Sequence, residues 1–282
     1  MESEIQDFWQ THPCGAELVG DLTGDARAEY AEFFSRYDKF RYSTEPHILS
    51  NLDKIDLDGK RVLEIGLGQG ADAEQIARRG AVFSGVDLTE EAVKRTRMRF
   101  SLAALSFDRI QQASALELPF DDNTFDIVFS YGVLHHIPHI EKAQAEIRRV
   151  LRPGGELIAM LYAKWSLNYM LSISVLRRLG LLALYGLRLR PGGIYGDHLE
   201  NARSVGIWRY IDMDNFIHVS TDGPFNPYSK VYGLADVRRD FADFDMVSVE
   251  KYFMHAPPLP VKWLPLSGLA GWHLWLRMRP KK

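Results

Sequence analysis

The chain has 282 residues and a mass of 32.2 kDa, long for one compact domain and short for two, so a single core with added segments fits best. Its 46% hydrophobic and 25% charged residues exclude wholesale disorder, and the net charge of −3 argues against a dedicated nucleic-acid binder. The single cysteine, Cys14, excludes an internal disulfide framework and a cysteine-rich zinc site.

The opening residues contain no basic stretch followed by an apolar one, so we expect no signal peptide and a cytoplasmic protein. The longest uncharged runs in the apolar regions are Trp165–Leu176 and Trp263–Leu276, of twelve and fourteen residues. A membrane span needs about 20 apolar residues. We therefore expect neither run to cross a bilayer.

Charged residues are unevenly distributed along the chain. No acidic residue occurs between Leu157 and Gly196, and Lys251–Lys282 has six basic residues and no acidic one. These two segments carry +5 and +6, which leaves −14 on the remainder. We prefer to interpret the basic, apolar portion as packed cap helices and a final strand. A surface for a lipophilic or anionic partner, such as a membrane, is the alternative.

The first 58 residues are rich in aromatic and acidic residues and show helical patterning around Ala26–Arg36, which predicts a helical N-terminal segment over 1–58. Strand and helix patterns then alternate through a core at 59–161. Helices separating strands in this way predict a parallel, doubly wound α/β sheet. The predicted strands are Arg61–Ile65, Ala81–Val86, Ile110–Ala113, Phe125–Phe129 and Glu156–Leu161, and the predicted helices are Ala71–Arg79, Thr89–Phe100 and Ile140–Leu151.

The alternation stops at Tyr162, where an insertion over 162–231 begins. Its first half is apolar and predicts a helical cap, whereas Asp212–Val231 contains Gly223, Pro224 and Pro227 and predicts a loop. A helix at Leu234–Phe241 and strands at Met246–Phe253 and Trp272–Met278 then complete the core within 232–282.

The most informative residues follow the first strand, in Val62-Leu-Glu-Ile-Gly66-Leu-Gly68-Gln-Gly70-Ala71. A strand that enters glycines and then a helix lets a ligand contact the backbone, and this spacing also satisfies the dinucleotide fingerprint. Glu64 would repel a pyrophosphate and attract a cationic ligand. Asp87, at the end of the second strand, suits a ribose in either kind of cofactor.

Four further motifs follow the glycine loop: Ala115-Leu-Glu-Leu-Pro119-Phe-Asp121-Asp122, Phe125-Asp-Ile-Val-Phe-Ser130, Val133-Leu-His135-His136-Ile and Leu151-Arg-Pro-Gly-Gly155. In this order and spacing they resemble class I S-adenosylmethionine (SAM) methyltransferases. The resemblance is to methyltransferase type 11 and the ubiquinone and menaquinone biosynthesis enzymes, and it covers about residues 60–160. It implies a Rossmann-like sheet of seven strands with the last one antiparallel, and it implies that the helical segment 1–58 forms an N-terminal lid over the cofactor.

The resemblance also implies a cofactor, SAM, with S-adenosylhomocysteine as product. It assigns Glu64 to the methionine end, the glycines to close backbone approach, and Asp87 to the ribose. Many relatives have an acidic residue at Ser114, so adenine recognition here is expected to depend on backbone groups. The predicted cofactor-binding residues are Glu64, Gly66, Gly68, Gly70, Asp87, Leu88, Ser114, Ala115, Leu116, Ser130 and Tyr131.

Methyl transfer from a sulfonium is an in-line displacement, which the protein promotes mainly by positioning and shielding the reactants. A base is needed only if the acceptor loses a proton, and His135 and His136 are the candidates, with His136 slightly preferred. A structural role in the loop is the alternative for both. No acidic and histidine cluster has metal-ligand spacing, so we expect no metal. The predicted acceptor-binding residues are Tyr42, Trp165, Tyr169 and Trp208.

The sequence therefore predicts a SAM-dependent methyltransferase that modifies an oxygen or nitrogen atom of a small, apolar or aromatic metabolite. A lipophilic quinone or lipid acceptor at the membrane surface is the first alternative. A nicotinamide-dependent oxidoreductase and a non-catalytic SAM-binding module are the others. We expect a small-molecule acceptor and no nucleic-acid partner, and the sequence does not indicate an oligomeric state.

Overall fold

A computed structural model describes residues 1–13, 15, 20, 22, 24 and 26–282. Cys14 and parts of the predicted lid lie outside the described residues. The described part contains a central sheet of eight strands. The strands are β1 (Arg61–Ile65), β2 (Val82–Asp87), β3 (Arg109–Gln112), β4 (Phe125–Tyr131), β5 (Leu151–Ala163), β6 (Val231–Tyr232), β7 (Phe244–Tyr252) and β8 (His273–Pro280).

The strand order is β3-β2-β1-β4-β5-β8-β7, and the first five strands of this path run parallel to one another. The last strand, β8, lies between β5 and β7 and is antiparallel to both. The predicted doubly wound sheet with an antiparallel last strand is confirmed. The two-residue strand β6 was not predicted. It forms because the chain, on leaving the insertion, runs beside the end of β5, where Val231 pairs with Tyr162.

Helices precede the sheet, cover both of its faces and fill the insertion. Before the sheet they are Glu2–Thr11, Arg27–Thr44 and His47–Leu52. Between and after the strands they are Ala71–Arg78, Glu90–Ala103, Ile140–Val150, Leu234–Asp240 and Ser267–Ala270. The insertion contains a π-helix at Asn168–Arg177, followed directly by Arg178–Gly186, then Ile194–Val205, Ile207–Tyr210 and Met213–Thr221.

The sheet is buried on both faces, as expected for parallel strands covered by helices. In β1, Val62 belongs to the apolar cluster on one face and Leu63 to the cluster on the other. Because successive side chains of a strand point to opposite faces, the continuous apolar sequence of β1 supplies both cores. The carboxyl ends of the strands, where open α/β sheets bind ligands, remain available for a site.

The prediction of a loop over Asp212–Val231 is wrong in its first half. Met213–Thr221 is a helix whose N-cap residue, Asp212, accepts a hydrogen bond from the Asp214 amide at 3.1 Å. Phe216 and Ile217 are buried in the core of the insertion. The turn-forming residues that suggested a loop lie just after this helix. Within the described residues, no helix is both long and apolar enough to cross a membrane.

Candidate cofactor and active site

A cavity of about 480 Å³ opens at the carboxyl ends of β1, β2 and β4. It brings together ten of the predicted site residues with residues of the N-terminal helix Glu2–Thr11. Those ten are Glu64, Gly66, Gly68, Asp87, Leu88, Ser114, Ala115, Leu116, Tyr131 and His136. Met1, Glu2, Ile5 and Trp9 line the cavity from the N-terminal helix, and none of them is among the predicted site residues.

The glycine loop has a backbone that only glycine adopts easily. Gly66 has a φ of +85°, and a Cβ added there would lie 2.1 Å from Val133 Cγ2. Gly68 also has a positive φ, and nothing lies within 4 Å of the position of its Cβ. The loop is therefore held open towards the cavity. Gly70 does not line the cavity; it starts the helix Ala71–Arg78 close to Thr96.

Asp87 ties the glycine loop to the end of β2. Its Oδ2 accepts hydrogen bonds from the Leu67 amide at 2.7 Å and the Gly68 amide at 3.3 Å. Its Oδ1 accepts from the amide and hydroxyl of Thr89, both at 2.8 Å. Burial raises the pKa of Asp87, while these four hydrogen bonds act to lower it. The carboxylate predicted to bind the ribose thus also fixes the loop beneath it.

Glu64 lies at the floor of the cavity and is buried. Its Oε2 is buried and has no hydrogen-bond partner in the protein. Burial raises the pKa of Glu64 well above its usual range, and nearby Asp72 raises it further. An unpaired acidic group at this position is suited to a cationic ligand. A bound positive charge would offset both the cost of burying the Glu64 carboxylate and its repulsion from Asp72.

Asp72 and Arg41 are functional candidates at the same end of the cavity. Arg41, from the lid helix Arg27–Thr44, forms a two-pronged ion pair with the Asp72 carboxylate, and the Tyr42 hydroxyl donates to Asp72 Oδ1 at 3.2 Å. Asp72 was not predicted, although an acid in the first turn of the helix after the glycines was the available signal. Tyr42, predicted to bind the acceptor, lies outside the cavity lining and joins the lid helix to Asp72.

At the opposite end of the cavity, Ser114 accepts a hydrogen bond from the Leu116 amide at 3.0 Å and contacts the Glu2 carboxylate. Gln6 of the same N-terminal helix donates to the Leu88 carbonyl at 3.1 Å. Glu2 thus brings a carboxylate to the Ser114 side of the cavity. No local pattern could have identified it, because the two contacting residues lie 112 positions apart in the sequence.

Ser130 and Tyr131 occupy different environments. Ser130 is fully buried, lies outside the cavity lining and donates to the Ile65 carbonyl at 3.0 Å, so it joins β4 to β1. Tyr131 lines the cavity, and its hydroxyl lies 2.6 Å from Glu45 Oε2 and 2.9 Å from His47 Nε2 and His273 Nδ1.

Glu45, His47 and His273 have donor atoms within 4.8 Å of one another and are the group in the described residues that could hold a metal ion. Burial lowers the pKa of His47 to about 4 and that of His273 well below its usual range, so both imidazoles are neutral at pH 7. The Tyr131 hydroxyl can donate to Glu45 and accept one N–H from each imidazole. The four groups therefore satisfy one another without a metal, and the expected absence of a metal stays a prediction.

His135 and His136 follow β4 in a short 3₁₀ turn, but they point to different places. His135 is fully buried, lies outside the cavity lining, and its ring centroid is 3.8 Å from that of Tyr162. Burial and nearby His136 lower the pKa of His135 well below its usual range. His136 lines the cavity, where Trp9 packs edge-on against it at 5.2 Å.

The insertion contacts His136 directly. His136 Nδ1 lies 2.8 Å from the Tyr228 carbonyl, and because a carbonyl only accepts, Nδ1 carries the proton in the neutral imidazole. His136 Nε2 faces Asp222 Oδ2 at 3.6 Å, beyond hydrogen-bond distance. His136 Nε2 and Asp222 Oδ2 are both buried and have no hydrogen-bond partner in the protein. Asp222 Oδ1 is held by the Tyr162 hydroxyl at 2.8 Å.

The remaining aromatic residues predicted to bind an acceptor lie outside the cavity lining. Trp165 is exposed and borders a separate groove beside β6 and β7, and Trp208 is 75% exposed. Tyr169 is half-buried against the core of the insertion. Their aromatic character alone did not indicate where the fold would direct them.

Comparison with known proteins adds to this geometry. Residues 63–159 match the family model described as "Methyltransferase domain". The chain is 30% identical over 189 residues to the ubiquinone biosynthesis O-methyltransferase of Azoarcus sp. (strain BH72), an alignment that covers 65% of this chain and 78% of that protein. The chain belongs to the class I SAM-dependent methyltransferases.

Membership of this family decides between the two cofactors that the glycine loop left open. The cavity fits SAM: Glu64 offers an unpaired acid to the positively charged groups of the methionine end, the loop at Gly66 and Gly68 leaves room for close approach, and Asp87 lines the cavity. The nicotinamide oxidoreductase alternative does not agree with this family membership.

Two other similarities are more limited. The fatty-acid O-methyltransferase of Mycolicibacterium smegmatis (strain ATCC 700084 / mc(2)155) is 39% identical over 117 residues, 41% of each chain. The chain spans only about two fifths of the length of the mycobacterial relatives that it matches. A solved structure of magnesium protoporphyrin IX methyltransferase from Synechocystis PCC 6803 with bound S-adenosylhomocysteine has a TM-score of 0.55 at 16% identity, covers all of both chains and agrees in fold.

Proposed function

We propose that this methyltransferase transfers the methyl group of SAM to an oxygen atom of an apolar acceptor, and that His136 removes the acceptor's proton. The observation that carries the proposal is the facing pair of buried, unpartnered atoms, His136 Nε2 and Asp222 Oδ2, beside the cofactor cavity. Buried polar atoms are nearly always hydrogen-bonded, so an unpaired couple next to a ligand cavity favours a site for a polar group of the ligand.

The acceptor hydroxyl reaches His136 Nε2 from the cavity side, because the 3.6 Å separation between Nε2 and Asp222 Oδ2 leaves no room for an atom between them. When bound, SAM supplies an activated methyl group, whose carbon–sulfur bond breaks as the new carbon–oxygen bond forms. The hydroxyl proton passes to His136 Nε2, since Nδ1 already donates its proton to the Tyr228 carbonyl. Asp222 then stabilises the positive imidazolium ring, and the Tyr162 hydroxyl holds Asp222 in place.

An apolar acceptor is favoured by the residues around His136. Ile5 and Trp9 of the N-terminal helix line the cavity together with Val133, Ile137 and Pro138. Such walls favour the burial of an aromatic ring or an alkyl chain around a small number of polar groups. The names of the relatives, a fatty-acid O-methyltransferase and a ubiquinone biosynthesis O-methyltransferase, support oxygen as the acceptor atom and a lipid or quinone as the acceptor class.

The test is incubation of the purified chain with methyl-labelled SAM and separate panels of phenols, quinols, fatty acids and amines. We expect label on an oxygen acceptor, and we expect His136→Gln to reduce turnover by about 10²–10⁴-fold while SAM binding is kept. The matched control is His198→Gln, in a histidine that contacts Tyr210 in the insertion. Label only on amines would contradict the proposal. SAM binding without transfer to any acceptor would instead favour the non-catalytic module.

A further inference from the structure

The longest helical segment of the insertion has an exposed face that is apolar. The π-helix Asn168–Arg177 continues directly into the helix Arg178–Gly186. Met170, Val175, Leu179 and Leu187 follow one another at intervals of four to eight residues and are all exposed, Leu179 by 58% and Leu187 by 71%. An exposed helix face normally carries polar residues. This face therefore indicates a partner.

A second set of exposed apolar residues adjoins the start of this helix. Trp263 and Leu269 are each 77% exposed, and Leu266 lies between them in sequence. Their segment is fixed to the helix region because the Ser172 hydroxyl bonds the Pro257 carbonyl and Leu167 packs with Met254 and Val261. We call Val175, Leu179, Leu187, Trp263, Leu266 and Leu269 the apolar patch.

Exposed basic residues adjoin both parts of the apolar patch in sequence. Arg188 and Arg190 alternate with Leu187 and Leu189, and all four side chains are exposed. Lys262, beside Trp263, is exposed as well. Other basic residues of the two acid-free segments are paired elsewhere: Arg277 and Arg279 bind Glu156, and Lys164 lies close to Asp236. The exposed cations near the patch have no acidic residue within their own segments.

From these observations we infer that the apolar patch and its flanking cations bind the surface of an anionic lipid bilayer. Leucine and tryptophan side chains enter the headgroup region, while Arg188, Arg190 and Lys262 attract anionic headgroups. A second copy of this chain is a poorer occupant. A two-fold symmetric interface would bring the same basic residues of both copies towards each other.

The patch is connected to the candidate active site. Arg177, in the patch helix, donates to the Ser220 carbonyl, and Ser220 lies two residues before Asp222. The insertion thus joins the membrane-facing helix to the residue that faces His136. The inference rests on the proposed function in one respect: access to a lipophilic acceptor would explain why the patch is connected to the candidate active site. Vesicle binding itself is measured without turnover.

The experiment is flotation of the purified full chain with vesicles of phosphatidylcholine alone and with vesicles that also contain phosphatidylglycerol. We expect binding to the anionic vesicles that weakens with salt. Leu179→Glu combined with Leu187→Glu should reduce it by about tenfold or more. Arg188→Gln combined with Arg190→Gln should remove most of the preference for anionic vesicles. The control is Val247→Glu in β7, where valine is 47% exposed outside the patch.

SAM binding by calorimetry establishes that each variant is folded. Absence of flotation with either vesicle would overturn the inference, as would equal binding by the patch variant and the wild type. Concentration-dependent dimers that Leu187→Glu dissociates, without vesicle binding, would assign the face to a second copy instead. Methylation of a detergent-soluble acceptor in the absence of vesicles tests the proposed function separately, so each idea can fail alone.

Discussion

Asp222 Oδ2 and His136 Nε2 face each other at 3.6 Å although one residue belongs to the insertion and the other to the loop after β4. His136 lies within residues 63–159, which match the methyltransferase family model, whereas Asp222 lies outside them. The insertion therefore completes the candidate active site as well as covering it. Acceptor choice and proton transfer are expected to depend on the same segment.

We predict that Asp222→Asn lowers turnover by about tenfold to 10³-fold and leaves the affinity for SAM within about threefold of wild type. The amide keeps the shape of the side chain and its contact with Tyr162 but removes the charge that stabilises protonated His136. Initial rates and calorimetric SAM titrations measure the two effects. The control is Asp212→Asn, which alters a helix cap in the same insertion. Equal losses of turnover and SAM affinity would indicate a structural role.

We predict that Gly66→Ala abolishes measurable SAM binding. The new methyl group would overlap the Val133 side chain and require a positive φ, and overpacking alone costs about 1–3 kcal/mol. Gly59→Ala is the matched control, because Gly59 has a φ of +67° and nothing within 4 Å of its Cβ position. It reports the backbone strain without the clash. A Gly66→Ala protein that binds SAM normally would show that close approach at this loop is not required.

The cofactor half of the site could be predicted because its signals are local. Glu64, Gly66 and Asp87 lie at strand ends, so their positions follow once the strands are recognised. Asp222, Glu2 and Glu45 could not be predicted, because each reaches the site through tertiary contacts with residues far away in sequence. The same limit applies to Trp165 and Trp208. Their large aromatic side chains suggested an acceptor pocket, but the packing of the insertion places them outside the cavity lining.

The helix Met213–Thr221 illustrates a different failure. Gly223, Pro224 and Pro227 biased the interpretation of the whole stretch towards a loop, although the N-cap at Asp212 and the apolar pair Phe216 and Ile217 favoured a helix. The loop that follows is itself ordered by side chains. Asn226 donates to the His218 carbonyl at 2.9 Å and to the Ser229 hydroxyl at 2.7 Å. A prediction from turn-forming residues alone could not detect this network of hydrogen bonds.

We predict that Tyr131→Phe destabilises the protein by about 1–3 kcal/mol, because it leaves the Glu45 carboxylate and two imidazoles without their shared partner. Chemical denaturation measures the loss. Tyr252→Phe is the control, since its hydroxyl contacts exposed Glu250 and buried Asn51, and the Asn51 side-chain oxygen keeps its hydrogen bond from Lys54. Stoichiometric metal in the purified protein, measured by mass spectrometry, would contradict the hydrogen-bonded arrangement and the expected absence of a metal.

We predict that SAM binding releases protons from Glu64 and strengthens as pH rises. In the free protein, burial raises the pKa of Glu64 well above its ordinary value of 4.5, so the group holds its proton to a higher pH than a normal glutamate. A bound cation favours the ionised carboxylate and lowers that pKa again. Affinity should therefore rise with pH between the bound-state and free-state pKa values and be constant above both.

Calorimetric titration of SAM at one pH, in buffers with different ionisation enthalpies, counts the protons released. Glu64→Gln should remove this release and weaken binding, whereas Glu117→Gln, at an exposed position, should change neither.

The folded protein binds more protons at Glu64 than the unfolded chain, so the carboxylate opposes folding above pH 4.5. Glu64→Gln should therefore raise the stability of the SAM-free protein at neutral pH. Unchanged proton release in this variant would assign the titration to another group.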